Sequence, residues 1–235
     1  EHGERRPGLR RREDLAAGRW QPRCDRCGTA LEARPTPESA AFDCASVYAL
    51  TKATQEAMAL LVGRLYGIPT VVFRYFNVYG PRQSVSNPYT GVTAIFTSRL
   101  KNGKAPVVYE DGRQSRDFIS VHDVVRANLL ALDTDAGDYQ VFNLGTGIPT
   151  PIGEVAATTA RLLGTEIAPQ IDSTYRLNDI RHCYAEMRLA RERLGFEASV
   201  SFEQGMRELL AWAAEERAED RFDAATAELR RAGLL

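Results

Sequence analysis

Apolar residues recur near helical spacing between Ser46 and Tyr66, at Val47, Leu50, Met58, Leu61, Val62 and Leu65. Gly67 offers a left-handed residue to end this helix, and Pro69 blocks its continuation. The run from Thr70 to Arg74 is apolar without alternation, as suits a strand buried on both faces of a parallel sheet. Helix, turn and strand in this order predict a doubly wound α/β domain. Asn77 to Pro81 reads as loop. The pattern then predicts a helix over Val92 to Asn102, stopped by Gly103, and a short strand from Pro106 to Tyr109. Phe118 to Val121 leads into a helix from Asp123 to Leu132. Gln140 to Leu144 reads as a strand ending in Gly145-Thr146-Gly147. Thr150 and Pro151 suit the N-cap and first turn of a helix through Leu163, ended by Gly164. Ser201 to Gln204 matches a capping box before a helix holding Met206, Leu209, Leu210 and Trp212. The last twenty residues alternate Glu, Arg and Ala and predict a solvated helical tail. Residues 1 to about 45 are Arg-, Pro- and Gly-rich with little periodicity, which predicts an irregular excursion. There is no internal repeat.

Composition narrows this little. A chain of 235 residues has room for one large domain or two small ones. At 44% hydrophobic and 26% charged it is an ordinary soluble composition, and a net charge of -1 points to neither nucleic acid nor an anionic membrane. The basic cluster Arg5, Arg6, Arg10, Arg11 and Arg12 is diluted by Glu4, Glu13 and Asp14 and lacks interleaved aromatics for stacking on bases. No apolar run is long enough to span a bilayer, and there is no secretory h-region. Four cysteines are too sparse for a disulfide framework, so a reducing, cytoplasmic setting is expected.

Chemistry enters at Tyr48 and Lys52. Positions i and i+4 share a helical face. A lysine there favours the charged form of the phenol, and a phenol so tuned can exchange a proton with a sugar hydroxyl. The spacing alone is a weak signal, because amphipathic helices produce it by chance.

Separated segments in a fixed order strengthen it. They are Ser46 to Lys52, Phe73 to Arg82, Asp111 to Ile119 running into Val121 to Val124, Phe142 to Gly145, and Asp179 to His182. From Tyr48 to about Gly195 the chain resembles the extended short-chain dehydrogenase/reductase superfamily, and within it the NAD-dependent nucleotide-sugar epimerases and dehydratases. The resemblance implies Tyr48 as catalytic acid/base and Lys52 as the partner that bonds the nicotinamide ribose. It places Tyr75 and Phe76 near the nicotinamide, Asn77 against the nucleotide-sugar, Val108 and Tyr109 beside the base, and Arg116 and Arg181 on the pyrophosphate. Arginine's planar fork suits phosphate oxygens, so the last two roles make chemical sense once a fold brings the pair together. Plainer readings stand beside these. Arg116 and Asp117 could form a surface ion pair. Asp179 to His182 could be an ordinary polar loop, with His182 supporting it. Phe73, Tyr75 and Phe76 could be core aromatics, and Asp123 a first-turn helix charge.

The family's Gly-x-x-Gly-x-x-Gly turn is not found before Tyr48, nor is the upstream Ser/Thr that bonds the substrate hydroxyl. The expectation is therefore an N-terminally truncated chain: a partial Rossmann-like doubly wound parallel sheet with a smaller C-terminal α/β substrate-binding domain. Residues 1-45 would form an irregular insertion and 46-82 the later part of the NAD-binding domain, with returning segments near 117-145. Residues 83-215 would mainly bind the nucleotide-sugar, and 216-235 would be the tail. Half a parallel sheet leaves an open edge and uncovered apolar faces, so this polypeptide alone is expected to fold poorly and not to retain NAD. The expected activity of the full-length parent, a homodimer, is 4-epimerisation of a nucleotide-diphosphate sugar. Related dehydratase, reductase or decarboxylase chemistry and an inactive binding fragment are the alternatives. Cys24-Asp25-Arg26-Cys27-Gly28 looks like half a zinc ribbon. With His2 it suggests a structural zinc, although four ligands are the rule. Cys44 and Cys183 have no partner by spacing.

Overall fold

The computed structural model describes residues 7–87 and 90–233. In chain order the elements are α1 (Arg12–Ala16), α2 (Val47–Tyr66), β1 (Val71–Tyr75), β2 (Asn77–Tyr79), α3 (Val92–Lys101), β3 (Val107–Tyr109), β4 (Ser115–Arg116), β5 (Phe118–Ser120) and α4 (Val121–Leu132). Then follow β6 (Gln140–Leu144), β7 (Thr150–Pro151), α5 (Ile152–Leu162), β8 (Gln170–Asp172), β9 (His182–Cys183), α6 (Arg188–Leu194), α7 (Phe202–Glu215) and α8 (Phe222–Arg231). Three parallel pairs, β1 with β6, β2 with β5 and β3 with β8, carry the α/β character, and β4 lies between antiparallel β7 and parallel β9.

Two cores result. One gathers Phe142 and Leu144 of β6 with Ile119, Ala127, Ala190, Leu194 and Phe196, and Val71 and Phe73 of β1 pack on it. The other gathers Tyr79, Phe96, Val108, Phe118, Val155, Met206 and Leu209. The β2–β5 pair divides them by strand alternation: Val78 and Ile119 serve the first core, Tyr79 and Phe118 the second. Gly205 is required where the Tyr79 hydroxyl approaches, since a Cβ would come within 2.5 Å of that oxygen.

The structure corrects several expectations. Asn77 to Tyr79 is a strand, because its partner lies some forty residues further along and local sequence carries no sign of it. Residues 185–196 pack into the first core and not with the 83–215 substrate unit. Thr150 does not cap α5; it pairs with Arg116 in β4, and Pro151 takes the N-cap position. The Ser120 side chain caps α4 two residues earlier than the pattern predicts, accepting from the His122 amide at 3.2 Å. The excursion is docked: Leu15 and Cys24 are buried, Thr36 bridges Ala185, and the Asn143 side chain donates to the Thr36 carbonyl at 2.8 Å. The tail is pinned as well, with Arg99 and Lys104 both pairing with Asp220 and Asp223.

Ser46 caps α2, accepting from the Ala49 amide at 3.1 Å, and Gly67 ends the helix at φ 64. Its apolar positions stay exposed, from Val62 at 44% to Val47 at 80%. Among the described residues β1 and β6 pair only with each other. No helix there is long and apolar enough to cross a membrane.

Candidate active site

The start of α2 presents Tyr48 and Lys52 to solvent on one face. Tyr48 is 72% exposed, and the Lys52 Nζ lies 5.7 Å from its ring centroid while donating to Gln55 Oε1 at 3.2 Å. One turn beyond Lys52, Glu56 accepts both arms of the Arg74 guanidinium at 2.8 Å each, in the bidentate geometry that fixes orientation. Arg74 also donates to the Glu38 carbonyl at 2.8 Å and stacks on Phe42 at 4.5 Å. Arg64 donates to the Tyr139 carbonyl at 3.0 Å. These polar ties orient α2 on β1, and sequence reading singled out neither Glu56 nor Arg74.

β1 and β2 carry the next group. Tyr75 is half-exposed; its ring stacks on Phe73 at 6.1 Å, and its hydroxyl meets the Asn128 amide nitrogen of α4 at 3.2 Å. Phe76 packs on the first core and its amide donates to the Leu144 carbonyl at 3.0 Å. The Asn77 amide donates to the Asp117 carbonyl at 2.8 Å.

Arg116 and Arg181, 65 residues apart, are brought together by the β4–β9 pairing. An Arg116 Nη donates to the Arg181 carbonyl at 3.3 Å. The surface pair with Asp117 does not form, since Asp117 is fully buried and Arg116 pairs instead with Asp179 at 2.9 Å. The Arg181 side chain is 4% exposed and pairs with Glu110 at 2.8 Å and Asp111 at 2.7 Å. The 179–182 segment is thus no ordinary surface loop. Burial would raise the Asp111 carboxyl, but the hydrogen bonds from Arg181 and the Arg113 amide, with the Arg181 charge, hold it below its usual range. His182 supports the segment: its Nδ1 meets Ser115 Oγ at 2.8 Å and its Nε2 meets Gln21 Oε1 at 3.0 Å. An amide oxygen only accepts, which assigns the proton to Nε2 and leaves Nδ1 accepting from the serine. Burial first, then the Arg181 and Arg116 charges, push the His182 pKa down. Val108 is fully buried in the second core, so its side chain is not offered to a ligand, whereas the Tyr109 ring sits 5.6 Å from the Arg176 guanidinium and 6.3 Å from Phe222. Among the described residues, no hydrogen bond or ion pair joins Tyr48 or Lys52 to this arginine cluster.

Asp117 is a hub that the sequence did not advertise. Its carboxylate accepts from the Thr146 amide and hydroxyl, both at 2.7 Å, from the Gly147 amide at 2.9 Å and from the Ala185 amide at 3.0 Å. A side chain at Gly145 would collide with it. Asp123 is more than a first-turn charge: it is buried and clamps the Ser199 and Val200 amides at 3.0 Å each.

Cys24 and Cys27 form a tight turn. The Gly28 amide donates to the Cys24 carbonyl at 2.9 Å, the Cys24 amide to Thr29 at 2.8 Å, and Gly28 takes φ 71. Cys24 is buried and Cys27 exposed, with Cys27 Sγ 3.4 Å from Thr29 Oγ1. His2 lies outside the described residues, and among these no three His, Cys, Asp or Glu gather to hold a metal. The expected zinc therefore has two candidate ligands here and no third.

Fold and site together define a class: parallel α/β layers with a tyrosine and lysine at a helix start, a second α/β core, and two arginines brought together by β4 and β9. The chain belongs to the NAD dependent epimerase/dehydratase family, whose model matches residues 27–145, just over half of it. It is 34% identical over 218 residues to dTDP-L-rhamnose 4-epimerase of Burkholderia thailandensis, covering 89% of this chain and 56% of that protein. Among solved structures it is similar to UDP-glucose 4-epimerase of Thermotoga maritima with UDP-glucose, at 36% identity and TM-score 0.71, covering 79% of this chain and 59% of the other. It is also similar to UDP-N-acetylglucosamine 4-epimerase of Methanobrevibacter ruminantium in complex with UDP-N-acetylmuramic acid, at 34% identity and TM-score 0.72, covering 78% and 58%. The chain thus spans between half and two thirds of the length of these relatives.

Proposed function

We propose that this chain carries the tyrosine–lysine pair and part of the substrate site of an NAD-dependent nucleotide-diphosphate-sugar 4-epimerase. The activity would belong to the full-length gene product, which we expect to act as a cytoplasmic homodimer. The observation that carries the reading is the exposed Tyr48–Lys52 pair at a capped helix start, in a chain whose relatives above are 4-epimerases.

The residues fit NAD. The ammonium of Lys52 is accessible, donates among the described residues to the neutral Gln55, and can bond a ribose hydroxyl. Tyr48 is open to a substrate hydroxyl. When bound, NAD supplies reversible hydride acceptance at the sugar C4. Tyr48 Oη takes the C4 hydroxyl proton and returns it, with the Lys52 ammonium 5.7 Å from its ring centroid. Tyr75 and Phe76 border the nicotinamide end, Asn77 and Tyr109 border the nucleotide-sugar, and Arg116 with Arg181 holds the diphosphate. Inverting C4 would require the oxidised sugar to turn so that hydride returns to its opposite face, while Tyr48 gives the proton back to the C4 oxygen. Firm anchoring at the diphosphate, away from C4, would allow that turn.

The test uses the full-length product with NAD and UDP-glucose, UDP-galactose or dTDP-L-rhamnose. Tyr48→Phe is expected to lower turnover by about 10²–10⁴-fold, the usual worth of a positioned acid/base. Undiminished turnover refutes the assignment. A structural zinc on His2, Cys24 and Cys27 is a subsidiary part of the reading, and equal zinc content in wild type and Cys24→Ser ends it.

A further inference from the structure

We infer that Arg10, delivered by the N-terminal excursion, is a positioning residue for the diphosphate site; this rests on the reading of Arg116 and Arg181 above. Arg10 touches an acidic partner of each. Its Nη1 lies 2.7 Å from Glu110 Oε1, while Arg181 holds Glu110 Oε2 at 2.8 Å. Its Nε donates to the Asp179 carbonyl at 3.1 Å, while Arg116 holds the Asp179 carboxylate at 2.9 Å. The Arg10 and Glu110 side chains are only 8% and 5% exposed, so this pair is a built interior contact and not a surface encounter. Glu110 itself sits at φ 57, a conformation that non-glycine residues seldom adopt, and its amide is fixed by the Thr174 carbonyl at 3.0 Å. Neighbouring residues of the excursion grip the same segment: Gln21 holds His182, and Trp20 packs on Tyr175 at 6.1 Å.

Charge explains why a third guanidinium belongs there. Arg10, Arg116 and Arg181 face Glu110, Asp111 and Asp179, three positive charges against three negative. Without Arg10, these groups carry one net negative charge where a diphosphate must approach, and among the described residues Glu110 is left with Arg181 to neutralise it. Both changes draw Arg181 away from phosphate. The arrangement also leaves capacity over: among the described residues Arg10 Nη2 and Arg181 Nε are buried with no hydrogen-bond acceptor. Orphaned buried donors are costly and suit a site completed by an anion.

The experiment measures UDP and dTDP binding, and kcat and KM for the nucleotide-sugar, in the full-length product. Arg10→Gln is expected to raise Kd and KM on the order of tenfold, as the loss of one partly buried charge would, with kcat changing less than about twofold. Arg10→Lys restores the charge and is expected to recover most of the affinity. It keeps the test decisive should Arg10→Gln fail to fold. A purely structural role would instead lower melting temperature and kcat together, with no rescue by lysine; that result overturns the inference. So does nucleotide binding by Arg10→Gln equal to wild type while Arg181→Gln loses it. If Arg181→Gln also binds UDP normally, the diphosphate reading itself falls.

Discussion

Replacing Asp117 by asparagine tests whether one buried carboxylate holds the two cores in register beside Arg116. The change is isosteric, so no cavity opens. One carboxylate oxygen accepts from the Thr146 amide and hydroxyl, the other from the Gly147 and Ala185 amides. An asparagine oxygen can serve only one of these pairs, and its amino group then faces either the Gly147 and Ala185 N–H donors or the Thr146 N–H and hydroxyl. Two hydrogen bonds to a charged acceptor are lost, at about 1.5–3 kcal/mol each, giving a destabilisation of about 3–6 kcal/mol. For a chain of this size about 2–4 °C of melting temperature accompanies each kcal/mol, so a drop of roughly 10 °C is expected. Calorimetry on the full-length product measures it. Thr146→Val, which keeps the amide bond and loses only the hydroxyl bond, is expected to cost about half as much or less. An Asp117→Asn protein melting within about 2 °C of wild type would refute the reasoning, because it would mean that the four donors find other acceptors at no cost.

Other outcomes follow from the same contacts. Glu56→Gln weakens the bidentate Arg74 clamp and is expected to raise hydrogen exchange along α2 by about tenfold, the equivalent of one charge-assisted bond, while the second core exchanges as before; unchanged α2 exchange would exclude the clamp. His182 has a folded pKa below its ordinary 6.5, so the unfolded chain binds the proton more readily. Its contribution to stability is therefore complete above pH 6.5 and is lost as pH falls through the folded value. Urea midpoints should decline across that interval in wild type and stay flatter in His182→Gln. Asp111 and Asp123 are likewise depressed: burial raises each, but hydrogen bonds, led by Arg181 for Asp111 and Arg126 for Asp123, outweigh it. Their contribution is present above the ordinary carboxylate value of 3.8 and disappears as pH falls below it, giving a second decline that Asp123→Asn should reduce. Lys101 donates to the Ala213, Ala214 and Glu216 carbonyls at the end of α7, and Lys101→Met is expected to cost about 1 kcal/mol by chemical denaturation.

By itself the sequence determined what neighbouring residues decide among themselves. Ser46 and Gly67 bound α2 because a hydroxyl reaches the free amides of a first turn and glycine alone turns left-handed without penalty. An apolar run without alternation marked β1, and helical spacing put Tyr48 and Lys52 on one face whatever the rest of the chain did. The ordered motifs placed the chain in its family. Only the tertiary structure decided the long-range pairings. β2 exists because β5 lies beside it, and Thr150 joins a strand because Arg116 is there. Arg116 and Arg181 meet through β4 and β9, and the acids that hold them, Glu110, Asp111 and Asp179, have no spacing that announces a partner. The excursion, featureless as a pattern, acquires its meaning from the buried contact between Arg10 and Glu110, one hundred residues apart. Periodicity reports the face a residue shares with its neighbours along the chain, whereas a buried charge finds its partner across the fold, where only packing sets the distance.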